Sequence, residues 1–239
     1  MSSLTEKFKV KIFADGADEE AMFKMNDSDF IGGLTTNPTL MRKSGITDYL
    51  KFCKTILKKI KNKPISFEVF ADDFKEMERQ AYEISSWGEN VYVKIPITNT
   101  KQQKSLGLIT KLTSKGIKLN ITALMTNKQV KECVEAIHEG VPCYISIFAG
   151  RIADTGIDPL PIMIEALQIL EANKSLELIW ASPRELLNIV QANDIGCHVI
   201  TVTNDIINKL KLLGYDLDAY SLDTVKMFYN DAKVAGYTL

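Results

Sequence analysis

Short apolar runs alternate with longer polar stretches along the 239-residue chain. The runs are rich in Val and Ile and have the length of buried strands, whereas the stretches between them place apolar residues at helical spacing. The pattern predicts strands at residues 10–15, 30–35, 65–70, 91–96, 117–124, 143–148, 176–182 and 197–203. It predicts crossover helices at residues 72–87, 101–115, 127–139, 159–173 and 183–193.

The strict alternation of strands and helices predicts a parallel sheet. Eight such units in a chain of this length predict an α/β fold, a single (β/α)8 TIM barrel. No Pro-, Gly- or Ser-rich linker divides the chain, so residues 1–239 are predicted to form one domain. The segment 220–239 follows the last unit and is predicted to be an extra C-terminal helical tail. This tail would cover the barrel or a neighbouring subunit.

The chain carries almost no net charge, with a formal value of −1. No long-range field would therefore attract nucleic acid or an anionic membrane, and small molecules are the expected partners. The N-terminus lacks the apolar core of a signal peptide, and no run approaches the roughly twenty apolar residues of a membrane span. The four cysteines lie far apart and, with only two histidines, form no zinc-ligand pattern. A cytoplasmic protein with reduced thiols is expected.

Polar residues occur near the carboxyl ends of seven of the predicted strands. In a (β/α)8 barrel these ends meet at one mouth, where active sites are built. Taken singly, each residue has a structural explanation, because an aspartate can cap a helix and a serine can hydrogen-bond its neighbours. Their shared position instead predicts a functional site at the mouth. The residues are Asp15, Thr35, Thr36, Asn37, Ser66, Glu68, Lys94, Asn120, Thr122, Ser146, Arg151, Ser182 and Arg184.

Lys94 lies inside the run "VYVKIPITNT" at residues 91–100, which otherwise has the character of a buried strand. Such a strand rarely holds a charge unless the charge is paired or takes part in chemistry. Desolvation disfavours the charged form of an amine and frees its lone pair, so that the amine can add to a ketone. The resulting iminium accepts electrons when a neighbouring carbon–carbon bond breaks, provided that a carboxylate takes the hydroxyl proton. Asp15 or Glu68 could be that base.

Seven short motifs follow one another along the chain: "FADGAD" (13–18), "GLTTNPTL" (33–40), "ISFEV" (65–69), "VKIPIT" (93–98), "LNITAL" (119–124), "SIFAGR" (146–151) and "WASPREL" (180–186). In this order they resemble the strand-end motifs of the transaldolase family. The resemblance covers nearly the whole chain, and "TTNP" and "VKIP" are its most specific parts. The chain length is similar to the short branch of the family, which also contains the fructose-6-phosphate aldolases.

The resemblance implies a role for the residue at each matching position. Lys94 would be the Schiff-base lysine, and Asp15 would be the acid/base that moves protons at the cleaved hydroxyl. Glu68 and Thr122 would hold the water needed to form and hydrolyse the carbinolamine. Thr35, Asn37, Ser66, Asn120 and Ser146 would bind the dihydroxyacetone hydroxyls or order their neighbours, and Arg151, Ser182 and Arg184 would bind the phosphate. No metal and no organic cofactor is implied.

Two positions distinguish the two activities of the family. The aldolases resemble one another in having a tyrosine where this chain has Phe148 and a glutamine where it has Glu68, so both positions favour transfer. A phenol would donate a proton to the enamine, whereas a phenyl ring leaves the enamine waiting for an aldehyde. The resemblance therefore implies a transaldolase of the pentose phosphate pathway. It would move a dihydroxyacetone unit from sedoheptulose 7-phosphate or fructose 6-phosphate to glyceraldehyde 3-phosphate or erythrose 4-phosphate.

Two alternatives remain open. The first is a fructose-6-phosphate aldolase that releases free dihydroxyacetone, and the second is a non-catalytic barrel that binds sugar phosphates.

The phosphate assignments depart most from the family pattern, because Trp180 and Pro183 stand where a small residue and an aromatic residue are usual. The tail from Tyr220 is similar to the last helix of short-branch relatives, which form rings, so a homo-oligomer is expected.

Overall fold

Eight parallel strands close into a barrel in the computed structural model, which describes residues 8–239. Each strand is hydrogen-bonded to the next in chain order, and the last strand pairs with the first. Every predicted strand is present, with ends that differ from the prediction by at most two residues. The prediction of an α/β (β/α)8 TIM barrel is confirmed. The strands are β1 (Lys11–Asp15), β2 (Ile31–Thr35), β3 (Ile65–Glu68), β4 (Val91–Pro96), β5 (Leu119–Leu124), β6 (Cys143–Ile147), β7 (Leu176–Trp180) and β8 (Val199–Thr203).

Helices connect the strands, and each of the predicted crossover helices is present. Within residues 8–239, no helix is long and apolar enough to span a bilayer. The helices are α1 (Glu19–Asn26), α2 (Pro38–Lys43), α3 (Tyr49–Lys59), α4 (Phe74–Ser85), α5 (Leu106–Thr113), α6 (Asn127–Ala136), α7 (Ala149–Ala153), α8 (Leu160–Leu170), α9 (Leu187–Asp194), α10 (Asn204–Asn208) and α11 (Leu217–Ala235), with a 3₁₀-helix at Lys209–Leu212.

The predicted C-terminal helix is present as α11, but it is displaced from the predicted bounds. It begins at Leu217 rather than at residue 220, because the Asp216 side chain accepts a hydrogen bond from the N–H of Ala219 at 2.9 Å and caps the first turn. It ends at Ala235 because Gly236 takes the left-handed conformation, with φ of 68°. The prediction of a single domain over residues 1–239 stays a prediction, and its first seven residues lie outside the described part of the chain.

Alternation along each strand divides the core into two parts. Side chains that point away from the barrel axis, such as Leu34, Val93 and Ile121, are fully buried in the larger apolar cluster. Ile56 of α3 and Ile109 of α5 belong to the same cluster, because the helices place their apolar faces against the sheet. This packing fixes the strands and therefore fixes the direction of the side chains that point inward.

The inward side chains form a second, smaller apolar cluster inside the barrel. Phe13, Tyr144, Ile179 and Val199 belong to it, and the Phe13 and Tyr144 rings meet edge to face with centroids 5.6 Å apart. Gly33 makes room for this arrangement, because a Cβ at that position would lie 2.6 Å from an atom of the Phe13 ring. The barrel is therefore filled beneath the residues at its carboxyl end.

Candidate active site

A cavity of about 520 Å³ lies at the carboxyl ends of the strands. Of the thirteen residues predicted at the strand ends, eleven line it and two, Thr36 and Ser66, do not; Phe148, also predicted to contact substrate, lines it as well. The residues lie on the strands or on the segments that directly follow them, so closure of the sheet brings them together at one end of the barrel. A concave site of this volume is typical of small-molecule binding.

The register of the strands sets which polar groups are neighbours. Lys94 on β4 is level with Glu68 on β3 and with Asn120 on β5. Asp15 on β1 is level with Thr35 on β2. Because side chains at one level of a parallel pair point to the same face, the amine and the carboxylates share the barrel interior.

The Lys94 amine lies in a buried position between two oxygen atoms. Its Nζ is 3.2 Å from Glu68 Oε2 and donates a hydrogen bond to the Thr36 carbonyl oxygen at 3.2 Å. Tyr49 on α3 donates to the Glu68 carbonyl oxygen at 2.7 Å, which holds the backbone of Glu68 in place. The prediction that this lysine would be paired or chemically active is compatible with both contacts, since an amine beside a carboxylate has a proton acceptor within reach.

Asp15 is the second carboxylate of the cavity. Thr35 Oγ1 donates a hydrogen bond to its Oδ1 at 2.7 Å. Burial raises the pKa of Asp15 above its ordinary value, while the positive charge of Lys94 and the Thr35 hydrogen bond act in the opposite direction, and the negative charge of Glu68 raises it further. A buried carboxyl at the cavity wall is a group that can both accept and return a proton.

A chain of hydrogen bonds crosses the barrel beside Lys94. Ser146 Oγ donates to Asn120 Oδ1 at 2.7 Å, and Asn120 Nδ2 donates to Ser66 Oγ at 3.0 Å. All three residues are buried, so each bond fixes the orientation of the next side chain. Ser66 lies behind Asn120 rather than on the cavity surface, and this position suits the second of its two expected roles, that of ordering a neighbour.

Thr122 lines the cavity with a hydroxyl that has no partner. Its Oγ1 is buried and forms no hydrogen bond within the described part of the chain. The pairing of β5 with β6 is irregular between Ile121 and Leu124, and Ala123 has a φ of 64° in this irregular segment. A buried hydroxyl without a partner is costly, so this site favours a bound molecule that offers a polar atom.

Asn37 is placed by the helix that it begins. It is the N-cap of α2, and its Oδ1 accepts a hydrogen bond from the N–H of Leu40 at 3.0 Å. Pro38 follows at the first helical position, where its fixed φ suits the helix. Because the side-chain oxygen Oδ1 is used by the cap, the side-chain nitrogen Nδ2 of Asn37 is the group that remains for a molecule bound in the cavity.

The three predicted phosphate-binding residues lie at the outer end of the cavity. Arg151 on α7 is exposed, and its Cζ lies 5.4 Å from the centroid of the Phe148 ring. Arg184 is also exposed and forms a two-pronged ion pair with Asp154, in which Nε donates to Oδ1 at 3.0 Å and Nη2 donates to Oδ2. These hydrogen bonds lower the pKa of Asp154 below its ordinary value. A carboxylate therefore occupies the guanidinium edge that was predicted to bind phosphate.

Ser182 follows β7 in an unusual backbone conformation. Its φ is 60°, a value that residues other than glycine rarely adopt. The Ser182 carbonyl oxygen crosses close to Gly150 of α7, and a Cβ at Gly150 would lie 1.6 Å from that oxygen. Gly150 is therefore required for this close approach between the two segments.

Sequence reasoning missed several contributors to the cavity. Thr201 and Thr203 on β8 line it, and the alternation of "VITVT" at 199–203 contained the signal, because Ile200 and Val202 point outward. Leu40 and Met125 add apolar surface from the segments after β2 and β5. Thr36 was predicted among the strand-end residues, but it contacts Lys94 through its backbone carbonyl, and side-chain patterns give no signal for such a contact.

Proteins of known family are similar in sequence to this chain over most of its length. A family model described as "Transaldolase/Fructose-6-phosphate aldolase" matches residues 12–237. A probable transaldolase from Methanococcus vannielii is 33% identical over 202 residues, which cover 84% of this chain and 89% of that protein. Probable transaldolases from Thermoanaerobacter sp. (strain X514) and Dehalococcoides mccartyi are each 34% identical over 194 residues. These segments cover 81% of this chain and 85% and 86% of the two relatives, respectively.

Proposed function

Because the chain belongs to the transaldolase/fructose-6-phosphate aldolase family, we propose that it is a transaldolase that transfers a dihydroxyacetone unit between sugar phosphates. The donor is sedoheptulose 7-phosphate or fructose 6-phosphate, and the acceptor is glyceraldehyde 3-phosphate or erythrose 4-phosphate. These substrates correspond to the pentose phosphate pathway. The observation that carries the proposal is the buried Lys94 amine at the cavity wall, 3.2 Å from Glu68 Oε2.

In the first step, Lys94 forms a covalent bond to the keto carbon of the donor. Glu68 accepts a proton from the ammonium group, and the freed lone pair attacks the carbonyl carbon to give a carbinolamine. Loss of water then gives the iminium. The unpaired hydroxyl of Thr122 is suited to hold this water together with Glu68.

In the second step, the bond between carbons 3 and 4 of the donor breaks. Asp15 takes the proton of the hydroxyl on carbon 4, the electron pair of the bond moves to the iminium as an enamine, and the aldehyde product leaves. Its raised pKa suits Asp15 to this role, because the same carboxyl returns the proton when the acceptor aldehyde is added. The balance of protons and electrons needs no metal or organic cofactor.

The dihydroxyacetone hydroxyls have several polar partners within the cavity. Asn120 and Ser146 are held by their own hydrogen bonds, and Asn37 offers its amide nitrogen. Phe148 places an apolar ring near the same wall. A ring without a hydroxyl cannot protonate the enamine, so the intermediate persists until an aldehyde arrives.

The phosphate group is proposed to bind at Arg151, Ser182 and Arg184. Guanidinium groups bind phosphate through paired hydrogen bonds, and both arginines are exposed at the outer end of the cavity. The Arg184 guanidinium binds the Asp154 carboxylate through two nitrogens, which is the geometry that a phosphate would also use. Phosphate binding at Arg184 then requires that Asp154 be displaced or shared.

Borohydride trapping tests the covalent step. Incubation with fructose 6-phosphate and borohydride should reduce the iminium to a stable secondary amine, and peptide mass mapping should place the adduct on Lys94. The matched control is Lys94→Met with the same reagents, which should give no adduct. An adduct at any other residue, or no adduct at all with either donor, would contradict the mechanism and favour a non-catalytic barrel.

A coupled assay with and without erythrose 4-phosphate separates transfer from simple cleavage. Turnover of fructose 6-phosphate should depend on the acceptor aldehyde. Cleavage at the same rate without an acceptor would identify a fructose-6-phosphate aldolase instead.

Phe148→Tyr should raise acceptor-independent cleavage relative to transfer by about tenfold, because the added phenol can protonate the enamine. The measurement is the ratio of the two rates in the coupled assay. Phe148→Leu is the control, since it changes the ring without adding a proton donor. An unchanged ratio in Phe148→Tyr would remove the role proposed for this ring.

A homo-oligomer is part of the same proposal. Helix α11 buries none of its own residues, and Leu217, Phe228 and Val234 on it are 80%, 62% and 89% exposed. Val225, Phe228 and Tyr229 follow helical spacing and form one apolar stripe, which a second copy of the chain would cover. Sedimentation of the full chain should give a mass above 26.8 kDa, and Phe228→Ser should lower it. The cytoplasmic location stays a prediction.

A further inference from the structure

Thr201 lines the cavity from β8 and contacts a residue of the proposed acid/base system. Its Oγ1 lies within hydrogen-bond distance of Thr35 Oγ1, and Thr35 Oγ1 also contacts Asp15 Oδ1 at 2.7 Å. The strands β2 and β8 flank β1, where Thr35 is level with Asp15 and Thr201 is level with Phe13, so Thr201 is linked to Asp15 through Thr35. Both threonines are buried.

The direction of these hydrogen bonds follows from counting protons. A threonine hydroxyl has one proton to donate and two lone pairs to accept with. When Asp15 is ionised, its carboxylate can only accept, so Thr35 donates its proton to Asp15 Oδ1. Thr201 must therefore be the donor in its contact with Thr35.

We propose that Thr201 is a positioning residue for Asp15, because its hydroxyl donates to Thr35 Oγ1 and thereby holds the single Thr35 proton on the Asp15 carboxylate. The effect is cooperative, since a hydroxyl that accepts a hydrogen bond becomes a stronger donor. Thr201 acts through Thr35 and needs no contact with substrate. The catalytic consequence of this inference rests on the proposed function. The two linked hydrogen bonds from Thr201 to Thr35 and from Thr35 to Asp15, which we call the threonine relay, are present in the protein without substrate.

The other groups that act on Asp15 are charged residues on the next strands of the barrel. Lys94 on β4 lowers its pKa and Glu68 on β3 raises it, after the larger effect of burial. The adjacent strands β2 and β8 supply the Thr35 and Thr201 hydroxyls. Thr203, also on β8, instead donates to Asp205. The threonine relay is therefore separable from the charged neighbours by substitution on β8 alone.

The test is a direct titration of the Asp15 carboxyl by carbon NMR in the full chain, with Asp15→Asn used to assign the resonance. Thr201→Val replaces the hydroxyl with a methyl of similar size and removes the donor to Thr35. The ionised form of Asp15 should then be less stabilised, and the pH midpoint of the Asp15 titration should rise by roughly half a pH unit. Thr201→Ser keeps a hydroxyl and should restore the wild-type midpoint.

Thr203→Val is the matched control, because it removes a hydroxyl from the same strand that bonds to Asp205 instead. Its Asp15 midpoint should equal that of the wild type. If Thr201→Val does not fold, Thr201→Cys replaces it, since a thiol is a weak donor and should also raise the midpoint. A wild-type midpoint in the folded Val or Cys variant overturns the proposal, as does an equal shift in Thr203→Val.

The kinetic readout separates this inference from the proposed function. In an active transaldolase, the acidic limb of the kcat/KM profile should move with the Asp15 midpoint in Thr201→Val and return in Thr201→Ser. A merely structural role would lower the melting temperature without moving that limb. If the wild type forms no Lys94 adduct but the NMR midpoint still shifts, the proposed function fails and the relay stands. If the adduct forms and the midpoint is unchanged, the relay fails alone.

Discussion

The inner and outer ends of the cavity are held by different parts of the fold. At the inner end, which we define by Lys94, Glu68 and Asp15, every side chain lies on a barrel strand and is wholly or largely enclosed. At the outer end, defined by Arg151, Ser182 and Arg184, the residues lie on the short helix α7 and on the segment after β7. The Arg184 and Asp154 side chains there are each about half exposed.

The difference separates two tasks. In the proposed reaction, the inner end would hold the reacting atoms within tenths of an ångström, and strands whose outward faces are packed by helices provide this rigidity. In the proposed function, the outer end would bind a phosphate whose distance from the keto group varies with the sugar, and exposed arginines on connecting segments can adapt to this variation. Lys94 also has Glu68 as a neighbour, and Glu68 Oε2, 3.2 Å from the amine, would accept its proton in the proposed reaction.

The largest effect is expected from Lys94→Met, which should abolish both borohydride trapping and turnover. Removal of one partner of a buried ion pair costs about 3–5 kcal/mol, and the partial exposure of Glu68 should reduce the loss in unfolding free energy to about 2 kcal/mol. Calorimetry and the coupled assay measure the two quantities. The double variant Lys94→Met/Glu68→Gln should regain stability and remain inactive, because the amide needs no counter-charge. Residual transfer in either variant would contradict the mechanism.

At the outer end, Arg184→Gln should raise KM for fructose 6-phosphate by about 10- to 100-fold and change kcat by less than about threefold, since a charge-assisted hydrogen bond to phosphate is lost. Fructose without phosphate is the matched substrate, and its kcat/KM should be unchanged. An equal loss with both donors would show that Arg184 acts on the inner end and not on the phosphate.

The smallest effect is expected from Asp154→Asn, which removes the carboxylate that occupies Arg184. KM for fructose 6-phosphate should fall by about threefold at low ionic strength, and the gain should shrink with added salt. Glu185→Gln removes a carboxylate from the same segment, leaves the Arg184–Asp154 pair in place, and should have less effect. A rise in KM in Asp154→Asn would mean that the carboxylate holds Arg184 ready for phosphate instead of competing with it.

The strand pattern and the order of motifs were sufficient to predict the barrel and most of the candidate site. A buried parallel strand needs consecutive apolar residues, and Lys94 interrupts such a run visibly. Asn120 and Ser146 interrupt their runs in the same way. Thr201 was missed because threonine is common in strands, although the alternation of residues 199–203 places it on the face opposite to Ile200 and Val202.

Local sequence determined that this chain forms eight strands, that they are parallel, and that a lysine, two carboxylates and two arginines stand near the strand ends. Only the tertiary structure decided which of these groups touch. The strand register places Lys94 beside Glu68, and closure of β8 onto β1 places Thr201 beside Thr35. The approach of α7 to the segment after β7 allows Arg184 to bind Asp154. The physical reason is that alternation and helix spacing are local properties of the chain, whereas these contacts join residues far apart in sequence and depend on how the barrel closes.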